Sequence, residues 1–508
     1  MDLYNILALI PFLFIIYFLV MKGKQASKVM FGTYVFTAVM LLVVWKMEFM
    51  AFLGASVRGF GVALEIFLII FSILLLFNLL KSKGKLDNLK HFMKSYTSDK
   101  NVLIILVGFF LVSFFESIAG FGTPAAIAVP ILVFLGISPF SAIIICLVAD
   151  SVAVAFGAFG IPVVYGIAQS VESANIVLIT EFTGIMLGVI ACFLPTLLLF
   201  IYNYFEKKSV KGISKYFPFS FFAGFSFGVP YIISSFYLSP ELVSVVASIV
   251  GFFLTVVYLH FTKFLKKRKV DFMDLVKSFS AYFLVIVLLT ASRANWFGFG
   301  GMLKKVGFTL ALYSSKISFP FNLYSPGVLI FLAFVVFALI YKVSFRSLSG
   351  IFKESFVSGR GAFYTLLPTL AFVQILIYSN INYSGFESIP FLVAEIFSKS
   401  GYFYIFLAPL IGAFGAFIAG SATVSNLIFG GLQSNVASIG IYSESLLLAL
   451  QTVGGSAGNM IAIHNIVAAC SLVGLKNYES TIIKSNVKIV IGYCFASSLI
   501  ALVIFLLF

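Results

Sequence analysis

Long apolar runs, separated by short polar breaks, occupy most of the sequence. A helix needs about 20 apolar residues to cross a bilayer, and runs of this kind recur from one end of the chain to the other. We predict membrane spans at residues 3–21, 31–46, 57–80, 140–163, 176–204, 216–236, 242–264, 278–293, 327–342, 361–378, 443–463 and 484–508. The pattern therefore predicts an all-α polytopic membrane protein.

Two stretches depart from this pattern. Residues 102–136 and 401–437 each contain a helix-length apolar run, a short break of Gly, Ser and Thr, and a second apolar run that is too short to span comfortably. This pattern is typical of a re-entrant helical hairpin, which enters the membrane and returns to the same side. Non-helical backbone at that depth is tolerated where protein or a water-filled cavity encloses it.

The distribution of Lys and Arg indicates how these stretches thread through the membrane. Lys-rich loops, predicted to be cytoplasmic, lie at 22–28, 81–100, 206–215, 263–277, 342–360 and 476–488, whereas loops poor in Lys and Arg, predicted to face outward, lie at 165–175, 237–241, 379–388 and 438–442. Both sets fit one topology if 102–136 is a hairpin open to the cytoplasm and 401–437 is a hairpin open to the outside. About twelve spans then cross the membrane, with both chain ends outside. Residues 294–326 are predicted to be a longer outer loop.

Similar motifs occur in the same order in both halves of the chain. AGFGT (119–123) corresponds to AGSAT (419–423), the Gly-Ile pair at 136–137 to the pair at 440–441, and GAFG (157–160) to GSAG (455–458). Opposite predicted orientations make this an inverted repeat, the usual architecture of secondary transporters with a site near the midplane. We predict scaffold spans at 1–100 and 206–378, a first transport repeat at 101–205, and a second, inverted repeat at 379–508.

Composition narrows the class of protein further. The chain is 61% hydrophobic and only 10% charged, with a mean hydropathy of +1.13, which no water-soluble fold of this length could bury. The net charge of +15 comes from short Lys/Arg clusters between apolar runs, a pattern that favours loops facing anionic lipid over nucleic-acid binding. The four cysteines lie in apolar segments without metal-ligand spacing, so we predict free thiols and neither a metal nor a cofactor.

The glycine-rich breaks are the candidate substrate site. A broken helix exposes backbone N–H groups at a half-helix N-terminus, which attract an anion, and neighbouring hydroxyl and amide groups suit a carboxylate or a hydroxyl. The alternative is that these small residues only allow close helix packing. The candidates are Gly120, Gly122 and Thr123 in the first hairpin, Gly420, Ser421, Thr423, Ser425 and Asn426 in the second, and Asn459 with His464 beyond the second GxxG break.

Two acids, Glu116 and Asp150, fall inside predicted membrane segments. An ionised carboxylate there costs about 2.5–3.5 kcal/mol on insertion scales, so each must be protonated, paired or hydrated. We predict that they carry the coupling proton, with a structural pair as the alternative. His464 is placed to contact an anion or to relay a proton. Arg58 and Glu65, at positions i and i+7 of one span, are predicted to pair with each other.

These motifs resemble the lactate permease family of secondary transporters. The resemblance rests on FFES (114–117), GFGTPAAI (120–127) and AVAFGAFGIPV (153–163) in the first half, and on IAGSATVSNLIFGGLQ (418–433) and GGSAGNMIA (454–462) in the second. It implies proton-coupled import of L-lactate and related 2-hydroxy monocarboxylates such as glycolate across the cytoplasmic membrane. The implied partners are the organic anion, the proton and membrane lipid, with a homo-oligomer possible and no nucleic acid.

Three positions depart from what the resemblance implies. Ala422 stands where the family usually has an acid, Asn459 where a Lys is common, and Asp150 where an Asn is usual. Loss of an acid and a base together leaves the net charge of the second half nearly unchanged. We infer, as a hypothesis, that the acid function has moved to Glu116 and Asp150 in the first half.

Three other functions are compatible with parts of the pattern. A sodium-coupled carboxylate or amino-acid carrier would use the same broken helices, with carbonyl oxygens binding Na⁺. A membrane-embedded enzyme would need a convergent set of His, Asp, Cys or metal ligands, whereas the three His are widely separated. A channel would show a flux that does not saturate with substrate.

Overall fold

The apolar runs form helices throughout a computed structural model of the chain, which describes residues 3–18, 22, 24–84, 97, 99–120, 123–207, 213–262, 272–294, 296–313, 317–475 and 478–507. For several of these residues, Thr123 and His464 among them, the description is limited to the backbone. Up to the end of the first hairpin the helices are α1 (Leu3–Ile16), α2 (Ala26–Val43), α3 (Phe49–Ser82), α4 (Lys100–Leu103), the π-helix π1 (Ile104–Leu111), α5 (Val112–Ile118) and α6 (Thr123–Phe134).

The first broken helix and the middle of the chain follow. The broken helix comprises α7 (Pro139–Val154), α8 (Gly157–Ile161), the π-helix π2 (Pro162–Ile167) and α9 (Ala168–Ser170). The next elements are α10 (Ile176–Lys207), α11 (Phe217–Tyr237), α12 (Pro240–Phe261), α13 (Phe272–Arg293), α14 (Phe299–Lys305), the strands β1 (Gly307–Tyr313) and β2 (Ile317–Asn322), α15 (Pro326–Ile340), α16 (Phe345–Ile377) and α17 (Ile389–Ser398). The last are α18 (Tyr404–Ala419), α19 (Ala422–Ile439), α20 (Glu444–Gly458), α21 (Ile463–Leu472) and α22 (Glu479–Leu507).

The helical lengths confirm the predicted fold class. In the described part of the chain, nine helices are long and apolar enough to cross a membrane, or eleven if each of two strongly bent helix pairs is one span. The predicted total of about twelve spans plus two re-entrant hairpins stays a prediction. Helix α16 begins well before the predicted span 361–378, because Ser344 caps it by accepting a hydrogen bond from the Ser347 N–H at 3.3 Å, and the polar residues after the cap continue the helix.

The chain turns back on itself in the first predicted hairpin. Helix α6 returns along π1 and α5, and Lys100 Nζ donates a hydrogen bond to the carbonyl of Gly136, so the two ends of the segment meet. Gly120 at the turn has φ +57°, a left-handed conformation that glycine adopts without a Cβ penalty. The glycine at the predicted tip therefore forms the turn between the two helices.

The second predicted hairpin has the same form. Helices α18 and α19 pack against each other, and the hydroxyl of Tyr404 donates to Gln433 Oε1 at 2.8 Å near the open end. Gly420 at its turn has φ +70°. Helix α19 also packs against π2, while α6 of the first hairpin packs against α21. Each returning helix thus contacts the broken helix of the other half, as an inverted repeat predicts.

The two broken helices lie at the centre of the protein. In Pro139–Ser170, all residues of the most apolar stretch are buried, and in Glu444–Cys470 the buried share of that stretch is 94%. The corresponding shares are only 50% in Phe49–Ser82 and 39% in Glu479–Leu507. The outer helices therefore present apolar side chains to lipid, while the two interrupted helices are enclosed by protein. This is where irregular backbone can be tolerated in a membrane.

Two further sets of helix contacts surround the broken helices. Helix α3 packs against α15 and α16, and a Cβ atom on its Gly59 would lie 2.6 Å from the Ala371 backbone, so this glycine permits a close crossing. Helices α11 and α12 instead pack with α10, α5 and α8, beside the first broken helix. The division of the chain into scaffold and transport parts stays a prediction.

A β-hairpin occupies part of the segment predicted as the outer loop 294–326. Strands β1 and β2 are antiparallel, with Phe308 opposite Phe321 and Leu310 opposite Phe319. The alternation of large apolar residues in both strands is the sequence signal for such a hairpin, and these strands are shorter than the apolar runs that predict membrane spans. The hairpin lies against α3, where a Cβ atom on Gly61 would come within 2.9 Å of the Phe319 ring.

Candidate functional site between the two broken helices

A small polar cavity lies where both hairpin tips meet both helix breaks. Its volume of about 30 Å³ leaves room for about two water molecules. The lining comes from the two halves of the chain: Glu116, Gly120, Val154, Gly157, Ala158, Ile161 and Pro162 from the first, and Gly420, Ser421, Ala422, Thr423, Asn459 and Asn465 from the second. The structure thus brings the two predicted tips and the two breaks to one place.

Glu116 faces the first helix break directly. Its side chain is buried on α5, and a Cβ atom on Gly157 would lie only 2.5 Å from Glu116 Oε1. A side chain at position 157 would therefore displace the carboxyl group. The glycine is required here because the break and the acid approach so closely, which the sequence motif alone does not show.

The first break is a run of left-handed residues. Ala158, Phe159 and Gly160 have φ values of 46°, 57° and 78°, and each of the two non-glycine residues costs about 1–2 kcal/mol in this conformation. Surrounding contacts hold the run in place, since a Cβ atom on Gly160 would lie 2.9 Å from the backbone nitrogen of Glu241. Strained backbone of this kind, enclosed by its neighbours, is typical of functional sites.

The two predicted proton carriers are neighbours. The carboxyl groups of Glu116 and Asp150 lie within hydrogen-bonding reach of each other, and both side chains are buried. Asp150 Oδ2 accepts a hydrogen bond from Asn459 Nδ2 at 3.0 Å, whereas Oδ1 has no donor among the described residues. An ionised carboxylate can only accept. A proton on either acid would therefore supply the missing donor between them.

Asn459 links this acid pair to the second half of the cavity. Its side-chain oxygen accepts a hydrogen bond from Asn465 Nδ2 at 2.8 Å, and both asparagines line the cavity. The sequence pattern predicts a role for His464 but not for Asn465, the next residue along the chain, which lines the cavity. A polar residue one turn after a helix break was the available signal.

The tip of the second hairpin presents a helix N-terminus to the cavity. Ser421 is the N-cap of α19 and makes no side-chain capping bond, and the Ser425 N–H donates the first intrahelical bond, to Ser421 O at 3.0 Å. The N–H groups of the first turn, including those of Ala422 and Thr423, precede this bond and have no intrahelical partner. These donors lie where an anion entering the cavity would meet them.

Ser425 and Asn426 are placed differently from the prediction. Neither lines the cavity. Ser425 Oγ donates to Gly412 O at 2.7 Å, and Asn426 Nδ2 donates to Pro162 O at 2.9 Å. They lie further along α19, on faces turned toward α18 and π2, because one helical turn carries a side chain past the tip. Their side chains contact neighbouring helices in this structure, and the predicted substrate contacts of these two residues stay a prediction.

Gly454, the residue before the second GxxG break, and Gly458, its last residue, lie at close helix contacts, as the packing alternative predicts. Cβ atoms on Gly454 and Gly458 would lie 2.0 Å from Pro409 O and 2.1 Å from Ala413 O, so both glycines allow α20 to approach α18. Gly122 lies outside the described residues, as do the side chains of Thr123 and His464, although the backbone places Thr123 at the start of α6 and His464 in α21.

Arg58 and Glu65 do not pair, contrary to the prediction. Arg58 NH1 lies 2.7 Å from Glu172 Oε1, and Glu65 Oε1 accepts a hydrogen bond from the Tyr165 hydroxyl at 3.2 Å. Seven residues of helix advance the chain by about 10 Å, too far for these side chains when each has a nearer partner on another element.

Broken helices from the two halves of the chain, enclosing one polar cavity, are typical of secondary transporters. The sequence similarity of this chain to known proteins indicates the same class. The sequence profile of the L-lactate permease family matches residues 4–279 and 297–508, and the chain belongs to this family. It is a multi-pass transport protein of the cell membrane.

Individual relatives match along almost their whole length. A putative L-lactate permease of Haemophilus influenzae is 28% identical, with 99% of each chain covered. The L-lactate permease of Escherichia coli K12 is 29% identical over 95% of this chain and 92% of its own length. The glycolate permease of the same organism is 26% identical over 96% and 93%.

Proposed function

We propose that this protein imports small 2-hydroxy monocarboxylates, L-lactate and glycolate, together with protons. One observation carries the proposal: Glu116, whose carboxyl group neighbours that of Asp150, lines the same cavity as the N-terminal residues of α19. The names of the related lactate and glycolate permeases support the substrate class.

The anion would bind at the second hairpin tip. Helix α19 has 18 residues, long enough for its dipole and the N–H groups of its first turn to favour a carboxylate at its start. Thr423 and Asn465 are suited to the substrate hydroxyl, since both line the cavity. The described lining contains one acid and neither Lys nor Arg, so in this part of the chain the attraction comes from backbone dipoles.

The proton would bind to the acid pair. Two neighbouring buried carboxylates repel each other, so they hold a shared proton more easily than they ionise together. A second proton taken up with the substrate would offset the charge of the incoming anion. The loaded site would then move through apolar surroundings at a lower electrostatic cost.

The three positions that depart from the family pattern support the relocation of the acid. Ala422 and Asn459 both line the cavity, and Asp150 contacts Asn459 and Glu116. Substitutions at the three positions therefore act on one site, where a change of charge at one position can offset a change at another.

The transport cycle would expose this site alternately to each side. A cavity with room for about two waters is smaller than a hydroxy acid, so the hairpin tips would separate to admit the substrate. Movement of the two repeats relative to scaffold spans, by rocking or by an elevator-like slide, would provide this opening.

Uptake of labelled lactate and glycolate into proteoliposomes tests the proposal. We expect an inward proton gradient to drive accumulation in the absence of sodium, with unlabelled 2-hydroxy acids competing. Accumulation that required sodium and did not depend on the proton gradient would show that Na⁺, and not the proton, is the coupling ion. Failure of every 2-hydroxy acid to compete would remove the substrate class.

A further inference from the structure

The second part of the first broken helix, residues 157–172, has two faces with different contacts. We call this segment the gate helix; it comprises α8, π2, α9 and the two residues that follow. Its first turn lines the cavity through Gly157, Ala158, Ile161 and Pro162. Any displacement of the gate helix would therefore change access to the site.

One face of the gate helix packs tightly on the second hairpin. A Cβ atom on Gly166 would lie 3.0 Å from Asn426 Cβ, and one on Gly430 would lie 2.2 Å from Ser170 Oγ. The hydrogen bond from Asn426 to Pro162 O joins the same two elements at the cavity. The gate helix and α19 thus form one closely packed unit.

The other face carries polar contacts to α3 and α16. Tyr165 and Gln169 lie about one turn apart in the gate helix, and Gln169 takes part through its backbone carbonyl. Glu172 lies two residues beyond the last helical residue, Ser170, after the extended backbone of Val171. The Tyr165 hydroxyl donates to Glu65 Oε1 at 3.2 Å, and Gln374 Nε2 donates to Gln169 O at 3.1 Å.

Glu172 makes the third of these contacts, and it is the charged one. Its Oε1 lies 2.7 Å from Arg58 NH1 and accepts a hydrogen bond from the Tyr378 hydroxyl at 3.0 Å, while Arg58 also donates to that hydroxyl. The side chain of Arg58 is 14% exposed and that of Glu172 is 58% exposed, so the pair is accessible from one face of the protein. The Lys-poor loop at 165–175 predicts that this is the outer face.

We propose that Tyr165, Gln169 and Glu172 form a latch that holds the gate helix against α3 and α16 and keeps the cavity closed on the outer face. Opening would break the Arg58–Glu172 contact and carry the gate helix away from α3 together with α19. These are positioning residues, since none of them lines the cavity. The proposal rests on the transport function but not on proton coupling.

Charge reversal tests the latch. A reporter cysteine replaces Ile161, which lines the cavity, in a background where Cys146, Cys192, Cys470 and Cys494 are serine. A membrane-impermeant thiol reagent is added to each side of oriented vesicles in turn. We expect Arg58→Glu or Glu172→Arg to speed labelling from the outer side about tenfold, the effect of losing a partly buried ion pair. The double reversal restores slow labelling.

The chain offers a matched control at the other end of the same two helices. Lys81 and Glu354 form an exposed ion pair between α3 and α16, 2.9 Å apart, and its reversal should leave the labelling rate unchanged. Tyr378→Phe, which removes only a hydroxyl, should raise the rate less than either reversal.

Labelling that stays within twofold of the parent in both single reversals would overturn the latch, as would a double reversal as fast as the singles. Elution of each variant as a single species on size-exclusion chromatography shows that it is folded. The measurement needs neither substrate nor a proton gradient. Its failure is therefore distinguishable from failure of the proposed coupling.

Discussion

Asn459 Nδ2 donates a hydrogen bond to Asp150 Oδ2 at 3.0 Å, although the two residues are 309 positions apart in the chain. This bond joins the last turns of α7 to the break that follows α20, so it connects the acid of the first half to the cavity lining of the second. A substitution at either residue should therefore alter the contacts of both halves.

Asn459→Leu removes this donor while keeping a side chain of similar size. Asp150 would then lose its bond from Asn459, and a buried carboxyl without its donor costs about 1–3 kcal/mol. We expect a lower midpoint of thermal unfolding in detergent. The exchanged pair, Asp150→Asn with Asn459→Asp, should recover most of the loss, because an acid and an amide still face each other. Equal losses in the single and the exchanged variants would show that the bond is not responsible.

Glu116→Gln should separate coupling from binding. Without this acid the pair loses one of its two carboxyl groups, so we expect proton-driven uptake of labelled lactate to fall at least about tenfold. Exchange of internal for external lactate, which needs no net proton movement, should persist. The control is Glu354→Gln, which removes an exposed acid far from the cavity. Gradient-driven accumulation equal to the parent's would show that Glu116 does not carry the proton.

Gly157→Ala should impair the site because the new methyl group would lie 2.5 Å from Glu116 Oε1. Overpacking of this kind costs about 1–3 kcal/mol, and here it would also shift the acid. We expect uptake to be lost together with some thermal stability. The matched variant is Gly492→Ala, where a Cβ atom meets nothing within 4 Å in α22, so stability and uptake should be retained. Normal uptake by Gly157→Ala would contradict the observed approach of the two groups.

Thr423→Val removes a hydroxyl from the cavity lining at nearly constant shape. If this hydroxyl contacts the substrate, one hydrogen bond of about 1 kcal/mol is lost, and the KM for lactate should rise about fivefold. Thr309→Val on the exposed strand β1 serves as the control. An unchanged KM would show that the Thr423 hydroxyl does not contact the substrate, and would leave Ser421 and the N–H groups of α19 as donors at this tip.

Part of the site could be predicted from local sequence. Gly120 and Gly420 are at helix turns because a left-handed residue is needed there, and glycine adopts that conformation at least cost. Glu116 and Asp150 stood out because ionised acids are costly in apolar segments. Ser425 and Asn426, by contrast, belong to the same polar cluster as Thr423 in the sequence, and only their position around the helix separates packing contacts from cavity lining.

The sequence by itself determined the class of fold and the positions of the interruptions, because span length, charge distribution and helix breaks are set by residues close together in the chain. Only the tertiary structure decided which side chains pair with each other. Glu172 rather than Glu65 pairs with Arg58, and Asn459 reaches Asp150 from the other half of the protein. A hydrogen bond needs its donor and acceptor about 2.7–3.2 Å apart, and residues from the two halves reach that spacing only when the halves pack together.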